Sequence, residues 1–180
     1  MKEKIEFYNS PDGSIHIRTE NELRLFDMSC KDIINMILVK IQDLYPTAYL
    51  MLSGLYRESA CNQEFFRFKI VHRFIRCNFG EFDALHFDLD GESGTMHLED
   101  VKCPMRGECA MEGMVCRPKM NTTVSERERE VATLIAKGLT RQQVADTLYI
   151  SVHTVSRHID NIKSRLHLKS TAQIISMFHE

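Results

Sequence analysis

The sequence has no long apolar run. The longest, Ala48-Tyr49-Leu50-Met51-Leu52, stops far short of the roughly 20 residues a membrane helix needs, so no membrane partner is expected. The start, Met1-Lys2-Glu3-Lys4-Ile5-Glu6, mixes both charge signs and lacks an apolar core. No signal peptide is therefore expected, and the chain reads as cytoplasmic. Cysteines kept in a reducing compartment argue against a disulfide framework. No Cys-x-x-Cys pair is present, which removes the commonest thiol redox motif. Nor is there an excess of one charge: the net charge of −2 excludes a broadly basic coat.

What remains is the composition of a soluble globular protein, 43% apolar and 27% charged, rather than of a fibrous or disordered one. At 180 residues it has room for one large domain or two small ones. Residues 121–180 carry 8 Lys+Arg against 6 Asp+Glu, or +2, which leaves −4 for the remainder of a chain at −2. A small basic module on an acidic body is a modest pointer to nucleic acid, although an ordinary solvated surface looks the same.

The last sixty residues predict four capped helices. Ser125-Glu126-Arg127-Glu128 is a capping box, in which the Ser hydroxyl accepts from the amide three residues on and Glu128 reaches back. Val131, Leu134 and Ile135 follow at helical spacing, and Lys137-Gly138 is a stop. Thr140 to Gln143 is a second box, and Ser170 to Gln173 a third. Ser151 is a good N-cap for a helix bearing Val155, Ile159, Ile162 and Leu166 as one apolar stripe. The connector Tyr149-Ile150 is very short, as in a helix-turn-helix. Opposite the stripe lie His153, Ser156, Arg157, Asp160, Asn161 and Ser164, side chains suited to the donors and acceptors of a major groove. Ser151 and Thr154 at the helix N-terminus suit a phosphate. Periodicity alone fits a generic helical bundle with a polar outer face equally well.

Residues 124–168 resemble the LuxR/GerE/FixJ-type helix-turn-helix. The matching elements are Arg127-Glu128-x-Glu130-Val131, Gly138-Leu139-Thr140, Val144-Ala145-x-x-Leu148-x-Ile150-Ser151, Thr154-Val155-x-x-His158 and Asn161-Ile162-x-x-x-Leu166. The resemblance implies a sequence-specific transcription regulator that binds double-stranded DNA as a homodimer, with RNA polymerase as a further partner. It implies that Ser156, Arg157 and Asp160 touch base edges. It places Thr154, His158 and Arg165 where family members hold phosphates or the helix itself. The chain departs from the family at Ser156, where Lys is usual, at Asp160 and at Ala132, where Leu is usual, so Arg157 is the expected anchor for base readout. The final helix, with Ile174, Ile175, Met177 and Phe178, resembles the family's dimer contact. Two properties of relatives are not expected. There is no strand ending in paired acids for a phosphorelay. There is also no Trp-containing aromatic pattern for an acyl-homoserine-lactone pocket.

The first 102 residues predict a small signalling or dimerisation domain, giving an α+β or mainly α chain overall. Ser10-Pro11-Asp12-Gly13 is a turn signal. Ile33, Ile34, Ile37, Leu38, Ile41 and Leu44 predict an amphipathic helix ending before Pro46. Residues 47–55 are helix or strand. Gln63 to Phe79 has helical spacing, with strand as the alternative. Leu85, Phe87 and Leu89 alternate before Asp90-Gly91, and Thr95 to Val101 is a candidate hairpin partner.

Residues 103–120 read as a cysteine-rich loop or linker. Cys103, Cys109 and Cys116 lie among Gly107, Gly113 and Pro104, with no helical or strand period. Such loops wrap metals, with Cys77 as the fourth ligand and His86 or His97 as substitutes. Zinc and an iron–sulfur cluster are both candidates. Arg106, Arg117 and Lys119 nearby also suit reversible thiol sensing, and burial without a special role is the third reading. Two other classes compete with the regulator. A sigma-factor-like promoter-recognition module needs a melting domain rich in exposed aromatics, which is not seen. A thiol enzyme needs a nucleophile arrangement that is not seen either, so no catalytic residue is assigned.

Overall fold

The structure, a computed structural model, describes residues 4–80, 87–91 and 95–178. It divides into two compact units, Met1–Lys119 and Met120–Glu180. Together they give an α+β first unit and an all-helical second unit.

In the first unit, β1 (Lys4–Asn9), β2 (Ile15–Arg18) and β3 (Leu23–Leu25) form an antiparallel meander. The expected Ser10–Gly13 turn joins β1 to β2. Gly13 takes φ 88° and donates its N–H to the Ser10 carbonyl at 2.9 Å. A short β4 (Leu89–Asp90) pairs antiparallel with the other edge of β1, giving the order β3-β2-β1-β4. The hairpin expected from Thr95 to Val101 shrinks to one antiparallel bridge, Leu89 with Met96. Leu85 and His86 lie outside the described residues.

Helix α1 (Lys31–Leu44) buries the expected stripe and ends one residue before Tyr45-Pro46. Pro46 opens α2 (Pro46–Leu55), where its missing N–H costs nothing. The undecided segment 47–55 is therefore helix. After a 3₁₀ turn at Arg57–Cys61, Asn62 caps α3 (Gln63–Asn78) by accepting from Phe65 N. Ile5, Phe7, Ile15 and Ile17 from the sheet and Ile70, Val71, Phe74 and Ile75 from α3 are fully buried. They share the core with the α1 stripe.

The second unit contains α4 (Glu126–Ala136), α5 (Arg141–Leu148), α6 (Val152–Arg165) and α7 (Thr171–Phe178). Both boxes at Ser125/Glu128 and Thr140/Gln143 form reciprocally. Gln173 accepts from Ser170 N and Lys169 N at the third. The core is Val131, Ala132, Ile135, Val144, Ala145, Val155, Ile159, Ile162 and Ile174. No helix among the described residues is long and apolar enough to cross a membrane.

Candidate nucleic-acid interface and cysteine site

Helices α4, α5 and α6 each end on the same local device. After α4, Gly138 at φ 87° donates to Ile135 O and Leu139 donates to Leu134 O, which satisfies carbonyls that the helix leaves open. After α5 the left-handed residue is Tyr149, at φ 55°, and Ile150 N donates to Ala145 O at 3.0 Å. After α6 it is His167, at φ 53°, with Leu168 N on Lys163 O at 2.8 Å. The tight reversal at Tyr149 leaves only Ile150 before Ser151, the N-cap of α6. Arg127 of α4 donates to the Leu148 carbonyl at 2.6 Å, tying the end of α5 to the first helix.

This turn starts α6 within the helical core. Its Val155, Ile159 and Ile162 are fully buried. Ser151 Oγ accepts from Thr154 N at 3.0 Å and sits 2.8 Å from Thr154 Oγ1, so cap and first turn hold one another. His153 is exposed, while Thr154, Ser156, Arg157, His158 and Asp160 are half-buried along the same outer side. Asp160 is paired with Lys163 at 2.7 Å, which cancels much of its negative charge at the surface. Arg141 Nη1 lies 3.5 Å from Ser156 Oγ, adding a cation from α5 that helical spacing along α6 does not reveal. Lys163, seven residues after Ser156, was legible from helical spacing alone.

Asn161, expected on this surface, lies elsewhere, and of the two roles the resemblance allows Arg165, holding a phosphate or the helix itself, its contacts fit the second. Asn161 is 1% exposed and Arg165 5% exposed. Arg165 Nε meets Glu128 Oε1 at 3.1 Å, and its Nη1 donates to the Asn121 carbonyl. A buried, ion-paired guanidinium holds α6 to α4 and has no reach toward a phosphate. Of α7's apolar residues, Ile174 is fully buried, while Ile175 and Met177 are 37% and 60% exposed.

The cysteine segment is not a free linker: it folds back on α3. Asn78, fully buried, donates to Val115 O at 2.8 Å and accepts from Arg117 N at 3.1 Å. Asp100 clamps the segment from outside, accepting from Arg106 Nη2 at 3.0 Å and from Arg117 Nε at 2.8 Å. Gly107 and Gly113, at φ 89° and 72°, supply turns that a side chain would strain. Cys77, next to Asn78 on α3, thereby comes together with Cys103, Cys109 and Cys116 around a cavity of about 450 Å³. Burial pushes the Cys77 thiol up, Arg73 pulls it down, and Cys116, Cys103 and Cys109 push it up again. Cys30 is buried and Cys61 exposed, both outside this group. His97 is exposed and is not part of the cavity wall.

The helix pair and its capped turn define a helix-turn-helix domain. Residues 122–178 match the family described as bacterial regulatory proteins, luxR family, so the second unit is a LuxR-type domain. The response regulator protein VraR of Staphylococcus epidermidis is 32% identical over 93 residues, 52% of this chain and 41% of that protein. The VraR proteins of Staphylococcus aureus and Staphylococcus saprophyticus are 36% identical over 59 residues, 33% of this chain and 28% of theirs. The chain thus spans less than half the length of these curated relatives. No solved structure matches.

Proposed function

We propose that the chain is a sequence-specific DNA-binding transcription regulator and not an enzyme. It docks α6 in the major groove of double-stranded DNA. The observation that carries this reading is the outer side of α6. His153 is exposed and Thr154, Ser156 and Arg157 are half-buried, on the same helix whose Val155, Ile159 and Ile162 are fully buried in the core. Arg157 is the base reader, suited to a bidentate contact with guanine. Ser151, Thr154 and His158 serve the backbone, helped by the helix N-terminus. Ser156 and Asp160 line the groove edge, with Arg141 and Lys163 as added cations.

The protein works as a homodimer on paired half-sites, one α6 per half-site, joined through the exposed Ile175 and Met177 of α7. It acts in the cytoplasm and there meets RNA polymerase. The relatives' name, response regulator, is consistent with a signal-dependent protein. Here the signal is read by the first unit.

The test is Arg157→Ala on a site selected by the wild-type chain. Affinity for that site should fall by about 1–3 kcal/mol while binding to random DNA barely changes. Equal loss on both would remove Arg157 from base readout.

A further inference from the structure

The cavity between α3 and segment 103–116 belongs to no part of the DNA-binding surface, and its wall is chemically unusual. Four of the chain's six cysteines line it. They come from places 26 or more residues apart, Cys77 on a helix and the others on a loop fastened by Asn78 and Asp100. Chance burial of small apolar groups does not need two independent tethers that converge on four thiols. Arg73, Arg76 and Arg106 share the same wall, which sets positive charge against a group of thiolates. The Arg73 guanidinium already hydrogen-bonds the Cys77 sulfur, and its buried Nε–H remains an open donor toward the same cavity.

Spacing bears on which soft metal fits. A tetrahedral zinc with Zn–S bonds of about 2.3 Å sets its sulfurs about 3.8 Å apart. Among the described residues, the one group of three metal-ligating side chains with ligand atoms all within 4.8 Å is Glu6, Asp88 and Glu99. Two of those carboxylates are already accepting from Phe7 N and Gly80 N. No three of the cysteine sulfurs come that close. They surround a volume instead of meeting at a point. An iron–sulfur core places iron and sulfide atoms between its thiolates and so takes ligands that stand further apart.

We propose that Cys77, Cys103, Cys109 and Cys116 ligate an iron–sulfur cluster in this cavity. Loading is a ligand exchange. A preassembled iron–sulfide core arrives on a carrier thiol protein. Each cysteine releases its proton to solvent and gives a sulfur lone pair to iron, and the carrier thiolates take up protons as they leave. Arg73 then donates Nε–H to a cluster or cysteine sulfur, a contact that tunes the centre's potential.

The test uses the full chain, purified without oxygen from iron-supplied cells and again after reconstitution with iron, sulfide and a thiol. The expected result is broad visible charge-transfer absorption with about two or four iron atoms and as many acid-labile sulfides per chain. Cys77→Ser, Cys103→Ser, Cys109→Ser and Cys116→Ser should each lose most of the colour and iron. Cys30→Ser and Cys61→Ser should keep both. Far-UV circular dichroism reports whether the serine variants fold, and the wild-type iron and sulfide content decides the proposal even if one does not. One zinc per chain without iron, or four freely alkylated thiols and no iron uptake, would overturn it. So would iron retained by all four serine variants. None of these readouts depends on DNA binding, so this proposal and the regulator reading fail separately.

Discussion

Arg165, in the last turn of α6, sets its Nε 3.1 Å from Oε1 of Glu128, in the first turn of α4, with both side chains almost closed to solvent. The same carboxylate closes the capping box, accepting from Ser125 N at 2.8 Å. One buried pair thus fixes the start of α4 and the end of the proposed recognition helix. A buried pair gains little over apolar residues of the same volume, but removing one partner strands the other's charge. Arg165→Met should cost about 3–5 kcal/mol in chemical denaturation of the chain. Adding Glu128→Leu should recover part of that, short by the about 0.5–2 kcal/mol that losing the capping box costs. A double variant as unstable as the single one would contradict this role.

Asn78 is the hinge pin of the cysteine segment. It is fully buried and serves both Val115 O and Arg117 N. Asn78→Leu leaves those two groups without partners and should destabilise the chain by about 1–3 kcal/mol. Limited proteolysis should then cut first within residues 103–117. Unchanged cleavage there would show that the segment is held by other contacts.

Stability should fall on the acid side partly because of His72. Burial lowers its pKa from the ordinary 6.5, and the positive charges of Arg76 and Arg73 act in the same direction. It packs against Phe26 and Phe68, with ring centroids 6.3 and 5.3 Å away. The folded state therefore binds fewer protons here than the unfolded one. Its contribution is present above the unfolded pKa and drains away as pH falls through the lowered folded pKa. Thermal midpoints measured from about pH 7.5 down to about pH 5 should drop, and His72→Phe should drop less. An identical slope for both proteins would remove His72 as a cause.

Tyr149 holds a left-handed backbone, φ 55°, with its side chain 95% exposed. Nothing in its packing offsets that conformation. Tyr149→Gly should stabilise the chain by up to about 1 kcal/mol, read from the denaturation midpoint, because glycine adopts this conformation without a Cβ clash. A loss of stability would mean that the tyrosine ring makes a compensating contact.

The second unit was largely legible because its signals are local. Ser125 with Glu128, Thr140 with Gln143, Ser151 and Gly138 all act within a few residues of chain, where hydrogen-bond rules are nearly context-free. Asn161 was misplaced because a polar residue at the margin of a helix face reads as exposed, and spacing left Arg165 between a phosphate and the helix itself. The burial of Arg165 rests on partners such as Glu128, 37 residues away. In the first unit, segment 47–55 was ambiguous because an evenly apolar stretch shows no period. Strands β1 and β2 went unread because they are short, and Glu6, 3% exposed between Ile5 and Phe7, breaks the expected alternation. The convergence of Cys77 on the loop cysteines depends on the Asn78 tether, which no spacing in the sequence announces.

In the proposed function, α6 reads base sequence. Its most direct test is selection from a random double-stranded pool, run in parallel with the wild-type chain and with Arg157→Ala. The wild type should enrich a paired-half-site motif containing a fixed guanine in each half, and the variant should lose selectivity at that guanine. Failure of the wild-type chain to enrich any motif, or an unchanged motif with Arg157→Ala, would contradict it.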